Sequence, residues 1–222
     1  MGLTEKYFGH LKSQKKEEFQ PLVFNQKEPR VRLRQKRISQ SHFCLGIRAY
    51  ATDHPDRYTA SLLAAILGGS MSSRMFIAVR ERRGLAYHVR TTFEDYLDNG
   101  YLMTQAGVDI GKIDEAIKVI LSEYGRITCE KVSSEELNKG KELLKGRLIL
   151  ALEDSQNVAE RYALQMLLEN KIRDPQETIA QIDKITAQDL QRVAKDIFHQ
   201  ESLNLAIIGP YDDEERFLKL LK

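Results

Sequence analysis

Tryptophan is absent from these 222 residues, cysteine occurs twice and proline five times, and neither sign of charge dominates. Each shortage excludes something. With 34 Lys+Arg against 32 Asp+Glu the formal net charge is +2, so no global field draws the chain to nucleic acid or to an anionic membrane. Cys44 and Cys129 stand far apart with no C-x-x-C pair, which suits a reducing, cytoplasmic type of compartment better than a disulfide framework. No apolar run approaches the ~18 residues of a membrane span. The first twenty residues, rich in Lys and Glu, lack the apolar stretch of a secretory signal. With 13 Gly and 5 Pro the chain has too few breakers to be linker-rich, and at 42% hydrophobic and 30% charged it has the composition of a folded protein.

Metal and nucleophile motifs are also missing. His10, His42, His54, His88 and His199 occur singly, and no H-E-x-x-H or H-x-x-E-H places two ligands on one helical face. No G-x-S-x-G elbow, phosphate-binding loop or Gly-rich dinucleotide turn occurs. By motif alone the chain carries no catalytic apparatus.

The hydrophobic periodicity shows what is there. Residues 3–12, with Leu3, Phe8 and Leu11, read as the end of a helix, followed by a polar stretch through Glu17 and Glu18. From Pro29 the period becomes two: Val31 and Leu33 alternate with Arg30, Arg32 and Arg34, and Phe43, Leu45, Ile47 and Ala49 repeat the pattern, predicting two half-buried strands. A helix beginning near Pro55 and carrying Tyr58, Leu62, Ala65 and Ile66 is expected to stop at Gly68-Gly69 through left-handed backbone. Ser72 or Ser73 caps the next helix, which presents Met75, Phe76 and Val79 and ends at Gly84. Two strands, 85–97 and 101–109, flank Asp98-Asn99-Gly100, a strong hairpin signal, and Tyr87, Val89, Thr91 and Phe93 are expected on one face.

A helical block follows. Ile113, Ala116, Ile117, Ile120, Leu121 and Tyr124 form one buried stripe, and Ser133-Ser134-Glu135-Glu136 reads as a capping box for a helix to about Leu152. Val158, Tyr162 and Met166 mark another helix, Asp174-Pro175 opens a short one, and Thr186 opens a segment with Leu190, Val193 and Ile197. Leu203, Leu205 and Ile207 alternate as a last strand before an amphipathic tail at 212–221. Strands in one group and helices in another, without βαβ alternation, predict an α+β fold: a mostly antiparallel sheet with a helical layer on one face. No linker interrupts 29–210, so one domain is expected there.

At Gly68-Gly69-Ser70-Met71-Ser72-Ser73-Arg74-Met75-Phe76, then Val79-Arg80-Glu81 and Gly84-Leu85-Ala86-Tyr87, the sequence resembles the second, non-zinc domain of a pitrilysin-family zinc peptidase half, the family of insulin-degrading enzyme and mitochondrial processing peptidase. Gln40-Ser41-His42, His54-Pro55-Asp56 and Asn99-Gly100-Tyr101 fall in that family's order, and Lys6-Tyr7-Phe8-Gly9 resembles the last helix of the preceding domain. The resemblance implies that residues 1–28 are the end of that helix and a linker, and that 29–222 form the C-terminal domain. It places zinc, its H-x-x-E-H motif and the general-base glutamate in a partner domain or subunit outside this chain, which alone is expected to be inactive. The implied partners are that zinc-bearing domain, in a dimer or a two-half chamber, and unfolded peptide substrates added as a strand to a sheet edge. Neither nucleic acid nor membrane is among them.

Two positions match the family's substrate-binding pair, Arg80 and Tyr87. A helix ending at Gly84 and reversing into a strand brings a guanidinium and a phenol to one rim, as donors to a peptide carbonyl or its developing oxyanion. Competing readings stand beside this one. Arg80 in a last helical turn is favoured by the macrodipole whatever it binds, and a tyrosine in line with Val89 and Phe93 is usually core. Arg74, Arg82, Arg83 and Arg90 compete for the arginine's role, with Arg74 expected to tie the Gly-rich turn to its neighbours. The basic run Arg30, Arg32, Arg34, Lys36 and Arg37 reads as a solvated strand face or a deterrent to edge pairing rather than a nucleic-acid surface, having no interleaved aromatics. A non-catalytic assembly subunit of the same fold is the alternative function.

Overall fold

A computed structural model describes residues 2–12 and 19–222. The polar stretch at Glu17 and Glu18 lies outside the described residues. The elements are α1 (Gly2–Phe8), β1 (Arg30–Gln35), β2 (Gln40–Ala49), α2 (Arg57–Gly68), a π-helical turn (Phe76–Glu81), β3 (Ala86–Asp95), β4 (Gly100–Asp109), α3 (Ile113–Cys129), α4 (Ser134–Ala151), α5 (Ser155–Leu164), a second π-helical turn (Gln165–Glu169), α6 (Pro175–Lys184), α7 (Ala187–Ile197), β5 (Leu203–Gly209) and α8 (Glu214–Leu221). The fold is α+β, as expected.

The sheet has five strands in the order β1-β5-β2-β4-β3. All pairs are antiparallel except β1 with β5, where Val31 lies opposite Leu205 and Leu33 opposite Ile207. That parallel pair joins strands from opposite ends of the chain, so no short turn signalled it. β1 is an edge strand, and Arg30, Arg32 and Arg34 all point to solvent.

Phe43, Leu45 and Ile47 on β2 face the same layer as Leu203, Leu205 and Ile207 across the pair, and all six are buried. The helix stripe Ile113, Ala116, Ile117, Ile120 and Tyr124 closes over them with Leu190, Val193 and Ile197 of α7. Each such aliphatic or aromatic side chain contributes on the order of 1.5–3 kcal/mol by leaving water. A buried polar chain crosses this core: the Thr91 and Thr104 hydroxyl oxygens are 2.7 Å apart, and Thr104 Oγ1 is 2.6 Å from the Tyr124 hydroxyl. Burial pushes the Tyr124 phenol far above its ordinary range, so it stays neutral as that network requires. Cys44 is half-buried and Cys129 exposed; both are free thiols, and burial raises the Cys44 pKa, which lowers its reactivity.

Glycine 69 at the end of α2 is right-handed (φ −81°), not left-handed as expected. Close approach explains the glycine pair instead: a Cβ on Gly68 would lie 2.3 Å from the Thr91 backbone nitrogen, and one on Gly69 would lie 2.7 Å from Ala65 Cα. The same holds at the hairpin, where a Cβ on Gly100 would meet the Tyr50 carbonyl oxygen at 2.0 Å and no residue of the turn has positive φ. The expected capping box at Ser133 is half made. Ser133 Oγ accepts from the Glu136 amide at 3.1 Å, but the Glu136 carboxylate is bound by Arg74, at 2.7 Å from Nε and 2.9 Å from Nη2. The complete box is at Thr186 and Asp189, opening α7.

Residues 19–28 cross one end of the sheet, from the β3–β4 turn past the end of β2 to the start of β5. The Leu22 amide donates to Asp98 Oδ2 at 2.8 Å, the Arg48 guanidinium stands 4.2 Å from the Phe24 ring centre, and Gln26 Nε2 donates to the carbonyls of Glu28, Glu201 and Leu203. α1 buries no side chain and leaves Leu3, Tyr7 and Phe8 exposed.

Candidate functional site

The segment that carries Arg80 begins at Ser73, whose hydroxyl donates to the Ser70 carbonyl at 2.6 Å and whose own carbonyl accepts from the Ile77 amide. One helical turn later the pitch widens: the Arg82 amide donates to the Ile77 carbonyl five residues back, at 2.9 Å. Such π-turns recur at functional sites because they shift the outward side chains off the α-helical register. Met75, Ala78 and Val79 are buried on the core side, so the turn is pinned while Arg80 is exposed. The Arg80 guanidinium lies over the Phe76 ring, 5.0 Å from its centre, which leaves its edge donors free. Gly84 then takes φ +57°, the conformation that reverses the chain into β3.

Tyr87 corrects one expectation. It does not share a face with Val89, Thr91 and Phe93, because β3 bulges there: Ala86 pairs with Val108 and His88 with Gly107, so Tyr87 is the extra residue. The bulge throws the ring out of the core, to 68% exposure, and re-aims it towards the rim.

Arg80 and Tyr87 line one small cavity of about 240 Å³, together with Gly84, Leu85, Ala86, Asp109 and Lys112. The competing arginines stand elsewhere. Arg74 is held by Glu136 with its side chain 12% exposed, which is the structural tie expected of it, and Arg83 donates to the Ala78 carbonyl at 2.8 Å. Arg82 lines a separate cleft with Arg74, and Arg90 is exposed along β3. Asp109 and Lys112 were not anticipated. Asp109 ends β4 and Lys112 lies at the corner leading to α3, and the Ala86–Val108 pairing brings that corner to Tyr87. Lys112 Nζ donates to the Gly84 carbonyl at 3.3 Å, and Asp109 Oδ1 accepts from the Gly111 amide at 2.9 Å. Among the described residues, no group of three or more His, Cys, Asp or Glu is placed to hold a metal ion.

Residues 1–144 match the family described as the peptidase M16 inactive domain. The chain belongs to the M16 peptidase family. It is 32% identical over 177 residues to an uncharacterized zinc protease of Bacillus subtilis, covering 80% of this chain and 43% of that one. An uncharacterized zinc protease of Rickettsia felis is 32% identical over 210 residues, covering 94% of this chain and 50% of that one. Among solved structures, a protease from Helicobacter pylori superposes with a TM-score of 0.83 at 22% identity, over 94% of this chain and 51% of that chain. The chain thus spans about half the length of the curated relatives it matches. The matched family is the one described as inactive, and the relatives named as zinc proteases extend well beyond the matched region.

Proposed function

We propose that this chain is the substrate-side, chamber-closing domain of a zinc metallopeptidase, and that it works only when paired with a zinc-bearing domain on another segment or subunit. The observation that carries the reading is the shared cavity. Of the five arginines between 74 and 90, Arg80 alone lines it with Tyr87, and both side chains are exposed. A guanidinium and a phenol on one rim donate to a single carbonyl oxygen, orienting a peptide bond and favouring the charge that grows on that oxygen during attack. The zinc of the partner domain supplies an activated water. This chain's own part is to bind, orient and enclose. α1, with its apolar side chains facing solvent, fits a helix whose partner surface belongs to the preceding domain, so that residues 1–28 form that helix and a linker and 29–222 the C-terminal domain. Unfolded peptides in a reducing, cytoplasmic-type compartment are the expected substrates. Among the described residues no helix is long and apolar enough to cross a membrane.

The test is elemental analysis and peptidase assay of the 222-residue chain alone and mixed with a zinc-bearing M16 domain. The chain alone is expected to hold no stoichiometric zinc and cleave nothing, and the mixture to cleave unfolded peptides. One tightly held zinc per chain, or full turnover by the chain alone, overturns the reading.

A further inference from the structure

The cavity beside Tyr87 has more positive charge around it than its own carboxylates answer. Two cations, Arg80 and Lys112, line it against one carboxylate, Asp109. Among the described residues every ion pair within 4.0 Å uses other cations, so neither Arg80 nor Lys112 is paired with a carboxylate. Of the nearby acids, Asp114 is paired with Arg216 and Glu115 lies in the first turn of α3 outside the cavity lining. Glu81 follows Arg80 in the π-turn, and Asp109 lines the cavity with one oxygen already accepting from the Gly111 amide. Lys112 spends one donor on the Gly84 carbonyl and keeps two, and Arg80, stacked on Phe76, keeps its full fork. At about 240 Å³ the space suits one side chain rather than a cofactor.

We propose that this cavity is a side-chain subsite for a carboxylate, so that the peptides this chain prefers carry a glutamate or aspartate beside the carbonyl held by Arg80 and Tyr87. The inference rests on the carbonyl clamp proposed above and adds a substrate class to it: acidic rather than basic peptides. Arg80 serves both groups because its five donors form a rigid fork, while Lys112 faces the side chain alone. Exposed charge pairs are weak in open water, but a peptide laid over the rim excludes solvent from both cations and strengthens the pairing.

The experiment uses the isotope-labelled 222-residue chain and three blocked tetrapeptides that differ only in one central residue, Glu, Gln or Lys, with binding read from the amide shifts of Gly84, Leu85 and Ala86. The Glu peptide is expected to bind roughly fivefold tighter than the Gln peptide, with the Lys peptide weakest. Raising the ionic strength narrows the spread. Lys112→Gln is expected to cut the Glu-to-Gln ratio to about twofold, whereas Lys139→Gln, paired with Glu135 on α4, leaves it unchanged. Equal affinity for the Glu and Lys peptides, or a ratio untouched by Lys112→Gln, overturns the acidic subsite and leaves the clamp standing. If no peptide shifts those amides, or all three bind a Tyr87→Phe, Arg80→Ala double variant as tightly, the clamp itself is overturned and the subsite with it.

Discussion

Phe76–Glu81 and Gln165–Glu169 are both single π-helical turns, and each is followed within a few residues by a left-handed one, Gly84 at φ +57° and Asn170 at φ +49°. Their surroundings differ in two respects. The first turn is bolted to the core through Met75, Ala78 and Val79, and among the described residues its Arg80 makes no ion pair within 4.0 Å. The second buries only Gln165 and leaves Met166 and Leu167 more than half exposed, yet its charge is fully answered: Glu169 sits between Arg57, at 3.2 Å, and Arg173. An unpaired cation can be held at a fixed place only where apolar packing does the holding. Where packing is thin, opposite charges hold the turn and nothing is left over for a ligand.

The largest expected effect tests the packing of α2 on β3, the strand into which the first turn leads. Gly68→Val forces a side chain into Thr91 backbone 2.3 Å away, which neither strand nor helix can yield, and should cost ~4 kcal/mol. Urea denaturation checks it, and a midpoint near that of the parent chain would show that the fold does not depend on this close approach.

Next comes the presented chemistry. Tyr87→Phe, in an assembly with a zinc-bearing domain, should lower turnover on the order of a hundredfold or more, equivalent to ~3 kcal/mol. Stability should move by less than about 0.5 kcal/mol, since the ring is exposed. Unchanged turnover with zinc retained would count against the hydroxyl and favour an assembly role for the chain.

For the second turn, Glu169→Gln leaves Arg57 and Arg173 facing one another with side chains 13% and 23% exposed. A loss of ~2 kcal/mol is expected, below the figure for a fully buried pair, with peptidase turnover preserved. A fall in turnover without a fall in stability would break the division of roles between the two turns. The smallest effect belongs to Gly84→Ala, where no atom lies within 4 Å of the added Cβ and only the positive φ is strained. About 1 kcal/mol is expected from thermal unfolding, and a larger loss would mean that the corner carries tension beyond its dihedral angle.

Local signals marked most elements well. The Asp174-Pro175 start of α6, the Thr186 start of α7 and the Ile113–Tyr124 stripe depend on contacts within a few residues, so periodicity and capping chemistry suffice to read them. Reading failed where a partner distant in sequence decided the outcome. Glu136 is spaced for a capping box, but Arg74, 62 residues away, binds its carboxylate. Gly68 and Gly100 are glycines for reasons visible only in the Thr91 strand backbone and the Tyr50 carbonyl pressed against them. For the candidate site, Arg80 and Tyr87 could be singled out by the family resemblance, while Asp109 and Lys112 could not, because they reach the cavity through the register of β3 on β4.

The sequence determined the fold class, through periodicity and the order of its elements, as well as the lack of a zinc-binding motif and the pair worth watching. The first two follow from residue type and spacing, which the linear chain carries complete, and the pair from the family resemblance. Tertiary structure decided the direction of Tyr87. An alternating strand puts it in the core, and one extra residue against Val108 and Gly107 turns it out to the rim beside Arg80. A bulge is a mismatch between two strands, so neither strand's sequence contains it alone.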